Sequence, residues 1–443
     1  MGDGSGTALW FGAPEFEILA VRDDGHELVV EVETPAGPVG CPGCGVRARA
    51  KDRRWVTLRD APTAERSVLV RWRKRVFCCP DRDCRVCTWT EQASLAEPRR
   101  VLTARAARWA TDQIAAVEAT PASIARRFGV SWSTVWAAIA REAAGRVTAP
   151  GEAASPSMLG FDETVMVSAR RRRRRRLVTA VVDVATGRTI DVFEGRDAAD
   201  LRAWLTCVPA GWLAEVQVVS VDPHEGYRSA VVRPDPRTGR ASPLADATLV
   251  VDPFHIVRLA NQAVTRARQR VQRATLEHRG WKGDPLYDIR KLLLLGAERV
   301  DETGWARLWA GLRDGDPDDA VTDTWVAKEK VRDVYLTDDA DEAAVRLNEA
   351  IAWCTAPEAT PEQRTLAKTL RRWRTEIVAH HTTGASNGPV EAANLTIKQI
   401  KRSGRGFRNF ENYRLRILLT AQRSLRETQT VTSIRPRRPR LVA

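Results

Sequence analysis

Two stretches near the amino terminus alternate apolar and polar residues with period two, "HELVVEVE" over 26–33 and "RSVLVRWRKRVFCC" over 66–79. Successive side chains of a strand point to opposite faces, so this alternation predicts half-buried β-strands. Residues 100–145 change to a helical period, and "GEAASPS" (151–157) is a small-residue linker that marks a boundary. From 158 the runs become continuously apolar, as in buried strands. "MLGFDETVMV" leads into "SARRRRRRR", and "LVTAVVDVATGRTIDVFEG" reads as two strands joined by a Thr-Gly turn. "DAADLRAWLTCV" is an amphipathic helix, "EVQVVSVD" and "ATLVVDP" are buried-type strands, and "FHIVRLANQAVTRARQRVQ" is a long helix. Residues 276–383 carry helical periodicity throughout, broken by the acidic "RDGDPDDAVTD". The predicted fold is therefore an α/β multidomain chain. A β-rich region spans 1–95, a helical one 96–150, an α/β core 151–275, an all-helical insertion 276–383, core helices 384–427 and a basic tail 428–443.

Charge adds a direction to this plan. The chain has 443 residues, with 70 Lys+Arg against 56 Asp+Glu, a formal +14. Residues 401–443 hold 12 basic and 2 acidic residues, whereas 301–350 hold 6 and 14. Such a separation turns the carboxyl-terminal part toward something anionic, and nucleic acid is the first partner it suggests. No apolar run approaches the roughly 18 residues of a membrane span. The amino terminus has neither the basic nor the apolar region of a secretory signal, so a cytoplasmic protein is expected.

Six of the eight cysteines lie between 41 and 87. "CPGCG" supplies Cys41 and Cys44, and "CCPDRDC" supplies Cys78, Cys79 and Cys84, with Cys87 close by. A paired C-x-x-C with a second close pair is the pattern of one structural, four-coordinate Zn²⁺ rather than a disulfide framework. Spacing alone leaves open which two of Cys78, Cys79, Cys84 and Cys87 complete the set. Arg71, Arg73, Lys74 and Arg75 on the intervening strand are candidates for phosphate contact, or form an ordinary solvated face.

"TPASIARRFGVSWSTVWAAIAREA" places Thr120 as a helix cap with Pro121 behind it, Gly129 in a turn and Ser131 as the next cap. This is a helix-turn-helix pattern. It puts Trp132, Ser133, Thr134 and Trp136 near the start of the DNA-reading helix. A plain helical hairpin is the alternative.

Three acids carry the candidate chemistry. Asp162 lies within the strand-like "GFDET", Asp222 ends the strand of "VVSVDPHEGY", and Glu391 heads a helix that is otherwise basic. An acid in or ending a buried strand is costly unless paired or bound to a cation. Hard oxygen ligands with few other donors suit Mg²⁺ or Mn²⁺, and two such ions serve phosphoryl transfer. Lys398, seven residues after Glu391, falls on nearly the same helix face and suits DNA phosphate. Lys401, Arg402, Arg405 and Arg408 extend that basic run. Asp252, in "VVDPFH", also ends a strand and rivals Asp222, while Asp183 reads better as the start of a turn. Strand-end capping or pairing with arginine would be the structural explanation for any one of these acids.

Taken in order, "CPGCG", "RVFCCPDRDC", "GFDET", "VVSVDPHEGYRSAV", "VVDPFHIVRLAN", "HRGWKGDPLYDIRKLLL" and "GASNGPVEAANLTIKQIKRSGRGFRNFENYRLRILL" resemble bacterial insertion-sequence transposases of the DDE type, the IS-L-three group. The resemblance covers residues ~40–425. It implies an amino-terminal zinc-binding region, a helix-turn-helix, and an RNase H-like catalytic core interrupted by the helical insertion. Asp162, Asp222 and Glu391 match the catalytic acids that hold two metal ions, Cys41, Cys44, Cys79 and Cys84 match the zinc ligands, and Asp252 and His255 take a supporting position. The implied partners are double-stranded DNA, as terminal inverted repeats and as target, and a second copy or more of the chain on that DNA. The implied location is the bacterial cytoplasm at the nucleoid. A non-catalytic DNA-binding regulator on the same scaffold, or a metal-dependent nuclease that cuts without joining, would share most of these features.

Overall fold

A computed structural model of the chain describes residues 15–63, 66–168 and 175–430, the side chains of 424–430 aside. Five residues of the arginine run, Arg170–Arg174, and the tail beyond 430 lie outside that description. The contacts divide the chain into two compact units, one formed by 1–148 with 399–443 and the other by 149–398.

In the first unit, β1 (Glu17–Asp23), β2 (Glu27–Glu33), β3 (Arg49–Thr63), β4 (Arg66–Cys78) and β5 (Thr88–Thr90) form one sheet. Its order is β1-β2-β4-β3, with β5 added on β4. The inward residues of the alternating strands, Val32, Val70 and Trp72, meet Phe16 and Leu58 in a closed core. β3 and β4 make a long antiparallel hairpin whose register puts Arg49 opposite Cys78. That pairing brings the loop before β3 beside the loop after β4, so both cysteine pairs come to one end of the hairpin. Helices α1 (Ala104–Ala115), α2 (Pro121–Phe128) and α3 (Trp132–Ala144) follow. Thr120 and Ser123 form a reciprocal capping box at the start of α2, and Gly129 ends it at φ 62°, where a side chain would be strained. Ser131 caps α3. Ile114, Ile124, Phe128, Val135 and Ile139 share one apolar core, to which the last helix of the chain contributes Leu419. That last helix therefore belongs with the amino-terminal helices, whereas the sequence pattern assigns 384–427 wholly to the α/β core.

The second unit is a mixed α/β layer. β6 (Met158–Val167), β7 (Arg176–Asp183) and β8 (Arg188–Glu194) are antiparallel neighbours, while β9 (Val218–Val221) and β10 (Thr248–Val251) continue the sheet in parallel with β6. The order is β10-β9-β6-β7-β8. Asp183 caps the β7–β8 turn, accepting from the Ala185 N–H at 3.1 Å and the Thr186 hydroxyl at 2.6 Å. Helices α4 (Ala198–Cys207), α5 (Ala210–Ala214) and α6 (Glu225–Val232) connect the strands. Leu159, Phe161, Val219, Val221 and Val251 face Trp204, Tyr227 and Ile256 in the main core. The long α7 (Pro253–Leu276) leaves the sheet for α8 (Pro285–Asp288), α9 (Glu302–Gly315), α10 (Ala320–Asp333), α11 (Ala340–Trp353), α12 (Pro361–Arg372) and α13 (Arg374–Thr383). Among the described residues no helix is long and apolar enough to cross a membrane. Finally α14 (Gly388–Ser403) returns to the sheet, and α15 (Phe410–Thr430) closes the chain.

Gly160 on β6 is what lets α14 approach. A Cβ there would stand 2.3 Å from a Val390 methyl and 3.0 Å from a Val184 methyl. Gly160→Ala is therefore expected to lower stability by about 1–3 kcal/mol, the usual cost of overpacking. Urea unfolding would measure it, and a midpoint unchanged from wild type would mean that the helix can yield.

Candidate metal centres

The cysteine end of the long hairpin meets the requirement for zinc. The Sγ atoms of Cys41, Cys44, Cys79 and Cys84 all lie within 4.8 Å of one another. Cys41 and Cys84 are 3.7 Å apart, and Cys44 and Cys79 are 3.5 Å apart. Thiolates around a tetrahedral Zn²⁺ at about 2.3 Å stand about 3.8 Å from each other, so this donor set fits the ion. Cys78 points elsewhere, with its Sγ 3.6 Å from the Arg49 carbonyl. Cys87 contributes its backbone, accepting from the Cys79 N–H at 3.1 Å.

The basic residues of β4 do not form an open phosphate-contacting face. Arg71 pairs with Glu31 at 2.7 Å, Arg73 with Glu33 at 2.8 Å and Arg75 with Glu91 at 3.1 Å. Lys74 is buried, its Nζ 3.9 Å from the centre of the Trp72 ring. Burial, only partly offset by Glu91, lowers its pKa. The alternation that places these cations on one strand also places Glu31 and Glu33 on the neighbouring one, with Glu31 in register with Arg71.

In the second unit β6, β9 and β10 run parallel, so β9 and β10 deliver the residues after their carboxyl ends, Asp222 and Asp252, to one edge. Ligand sites of α/β sheets gather there. Asp162 sits on β6 beside this edge. One oxygen each from Asp162, Glu163 and Asp222 falls within 4.8 Å of the others, as do one oxygen each of Asp252 and Glu391 and a ring nitrogen of His255. His255, at the start of α7, joins the two groups. Its Nε2 is 2.9 Å from Asp222 and its Nδ1 is 3.1 Å from Asp252. Burial would lower the His255 pKa, but the hydrogen bonds to Asp222 and Asp252 outweigh it and raise it to about 9. The imidazolium is thus the neutral-pH form, held between two carboxylates. Asp252 itself is 3 % exposed. Burial works to raise its pKa, yet the bonds from His255 and the Asn387 N–H bring it below the ordinary value.

Helix α14 supplies the remaining groups. Asn387, just before it, donates its N–H to Asp252 at 2.8 Å and its side-chain amide to Asp222 at 3.2 Å. Asn394, one turn beyond Glu391, donates to Asp162 at 2.6 Å. Asn387 and Asn394 are site residues that the sequence reading does not name. Their signal is spacing: positions −4 and +3 from Glu391 share its helix face. Lys398 is exposed farther along the helix, and Lys401, Arg402, Arg405 and Arg408 follow in the first unit. Trp132 is exposed and Trp136 half-buried; their rings stack at 5.7 Å. Ser133 and Thr134 are turned to the cap, each 2.8 Å from the Ser131 hydroxyl.

Asp162 shows what the acidic edge lacks. Burial, then the negative charge of Asp222, raise its pKa to about 7, against the opposing bond from Asn394. A carboxyl raised first by burial and then by a neighbouring carboxylate is a place where a divalent cation would favour the ionised form, and oxygen donors of this kind suit Mg²⁺ or Mn²⁺.

Comparison with known proteins gives the family. A transposase family model, that of the DDE transposases of the ISL3 group, matches residues 159–417. A second model, described as the zinc-finger of transposase IS204/IS1001/IS1096/IS1165, matches residues 37–84. The chain belongs to this transposase family, and its amino-terminal segment is a zinc ribbon. It is 26 % identical over 316 residues to the transposase for insertion sequence element IS1557 of two Mycobacterium tuberculosis strains, CDC 1551 / Oshkosh and ATCC 25618 / H37Rv. The match spans 66 % of this chain and 66 % of those relatives, just under two thirds. No solved structure matches the chain.

Two measurements follow from these centres. Native mass spectrometry is expected to find one zinc per chain, lost in Cys79→Ser and retained in Cys78→Ser; retention in the first or loss in the second would redraw the ligand set. The acidic edge makes the metal-free protein pH-sensitive. Because the folded Asp162 pKa lies above the unfolded value of 3.8, its cost is absent below pH 3.8 and grows as pH rises toward about 7. Asp162→Asn should therefore stabilise the metal-free protein at pH 8, by up to about 4 kcal/mol, and less at pH 5.5. Millimolar Mg²⁺ is expected to raise the Tm of the wild type and not that of Asp162→Asn. A variant less stable than wild type at pH 8 would count against this electrostatic account.

Proposed function

We propose that the chain is a DNA transposase of an insertion sequence. It binds the terminal inverted repeats, cleaves the element ends and joins them to target DNA by Mg²⁺-dependent phosphoryl transfer. The observation that carries this reading is the meeting of Asp162, Asp222 and the Glu391-bearing helix at the carboxyl ends of parallel strands in a family transposase. On this reading the β10-β9-β6-β7-β8 sheet is an RNase H-like core, and residues 276–383, with α8–α13, are an insertion within it. Asp162, Asp222 and Glu391 hold the divalent ions, which supply an activated attacking oxygen and charge stabilisation of the leaving one.

The chain's own groups have separate tasks. The His255 imidazolium and the Asn387 amide each hold one oxygen of Asp222, which fixes the carboxylate and leaves its outer lone pairs for a ligand. Asn394 orients Asp162 in the same way. Lys398 faces the DNA backbone from the helix that carries Glu391. The zinc ribbon and α2–α3, read as a helix-turn-helix, bind the element ends, and two or more copies assemble on paired ends. The protein works in the bacterial cytoplasm at the nucleoid.

The test is an excision assay in cells, with a marker flanked by the element's own ends. Wild type should excise and Glu391→Gln should fall to background while still shifting those ends in a gel. Equal excision would assign the chemistry to another acid. Binding without excision by either protein would favour a regulator, and cut ends that are never joined would favour a nuclease.

A further inference from the structure

Within the first unit, the start of α3 and the turn between α14 and α15 enclose a cleft of about 590 Å³. That lies in the range of clefts that hold a small organic molecule, about 300–1,000 Å³. Three aromatic residues line it, Trp132, Trp136 and Phe407, together with four arginines, Arg126, Arg405, Arg408 and Arg416, and among the described residues no acidic one does. Trp136 donates its indole N–H to Asn412 at 3.0 Å, which fixes the inner ring of the tryptophan stack. Phe407 is held by Tyr413, ring centre to ring centre 4.6 Å. Trp132, 46 % exposed, presents its outer face to the open side.

Arg416 points to what belongs there. It is 1 % exposed. Its Nη2 donates to the Ala119 carbonyl at 3.0 Å and the Ser403 hydroxyl at 3.2 Å, and its Nε is buried without a partner. Among the described residues no carboxylate pairs with it, and burial alone shifts its pKa, downward. A buried cation without a counter-ion is costly, and one lining a cleft with an unused donor is placed to take an anion. The turn itself is strained in the same place. Arg405 has φ 54°, a left-handed conformation uncommon for a residue with a side chain, between Gly404 and Gly406. Such conformations concentrate at ligand sites.

A flat aromatic face beside guanidinium groups, with no acid near, is the chemistry that receives a nucleotide with its base out of the stack. In intact duplex the bases cover one another and cannot lie on an indole. We propose that this cleft binds an unpaired nucleotide of the DNA, its base on Trp132 and its phosphate on Arg405 and Arg416. This rests on the DNA-binding reading above and assigns to Trp132 and Trp136 a different contact from the reading of base edges in a groove. An element end provides such a nucleotide once it has been opened or cut.

Fluorescence anisotropy with the full-length protein tests the assignment without catalysis. Two probes would share one duplex, one blunt and one with a short oligo-dT overhang. Wild type should prefer the overhang, and Trp132→Ala should reduce that preference roughly 5- to 100-fold, the range for losing one base–aromatic stack. Because the readout is a ratio, a general loss of folded protein does not imitate it. Arg405→Gln, at an exposed position, should lower the salt slope of overhang binding by about 0.7 for one lost phosphate contact. Equal wild-type affinity for blunt and overhang duplex would overturn this inference and leave the transposase reading intact. So would a preference that survives Trp132→Ala. Failure to bind either duplex would overturn both readings.

Discussion

Carboxylates crowded at one edge of a sheet impose the constraint around which the second unit is built. Parallel β6, β9 and β10 leave Asp162, Asp222 and Asp252 together, and like charges at such separations repel strongly where water is scarce. The fold answers with fixed donors from two directions. α7 begins immediately after Asp252 and so presents His255 between two of the acids. α14 begins immediately after Asn387 and presents two amides and Glu391 to the same edge. Neither helix would serve if it stood farther from the strands, which is why the close approach of Gly160 to Val390 matters to the site.

These donors compensate unevenly. Asp252 is fully provided for, with His255 and the Asn387 N–H against its oxygens. Asp162 has one amide and a nearby like charge, and remains the acid whose ionised form is least supported. An arrangement with one acid satisfied and another left in deficit separates the two roles by physics: Asp252 holds the holder of Asp222, while Asp162 waits for positive charge. The strand-end position alone, which Asp222 and Asp252 share, does not distinguish them.

How far the sequence discloses this depends on what signal each residue emits. Asp162, Asp222 and Glu391 are legible because an acid inside an apolar run, or heading a basic helix, contradicts its surroundings. Asn387 and Asn394 contradict nothing. Asparagine is ordinary near a helix start, and only the spacing about Glu391 marks the pair. Strands β2, β4 and β6–β10 follow from periodicity, whereas the first half of β3 (Arg49–Thr63) is charged and exposed, and its place comes from pairing with β4 rather than from its own pattern. The cations of β4 were visible but their partners were not, since Glu31 and Glu33 lie forty residues earlier and meet them only through parallel pairing with β2.

The same distinction between paired and unpaired charge separates the basic surfaces of the first unit. On β4 each arginine has a carboxylate within 3.1 Å, so that strand's positive charge is paired within the sheet. Among the described residues lining the cleft at the start of α3 there is no carboxylate, and Arg416 is buried with a donor unused. A count of basic residues would rank the strand first. Pairing reverses that order, because a cation already neutralised must break a bond before it can bind phosphate, whereas one buried without a counter-ion gains on binding what it lost on folding. The net charge of the chain is thus a poor guide to which of its surfaces can take an anion, and the acids that are missing from a surface are a better one.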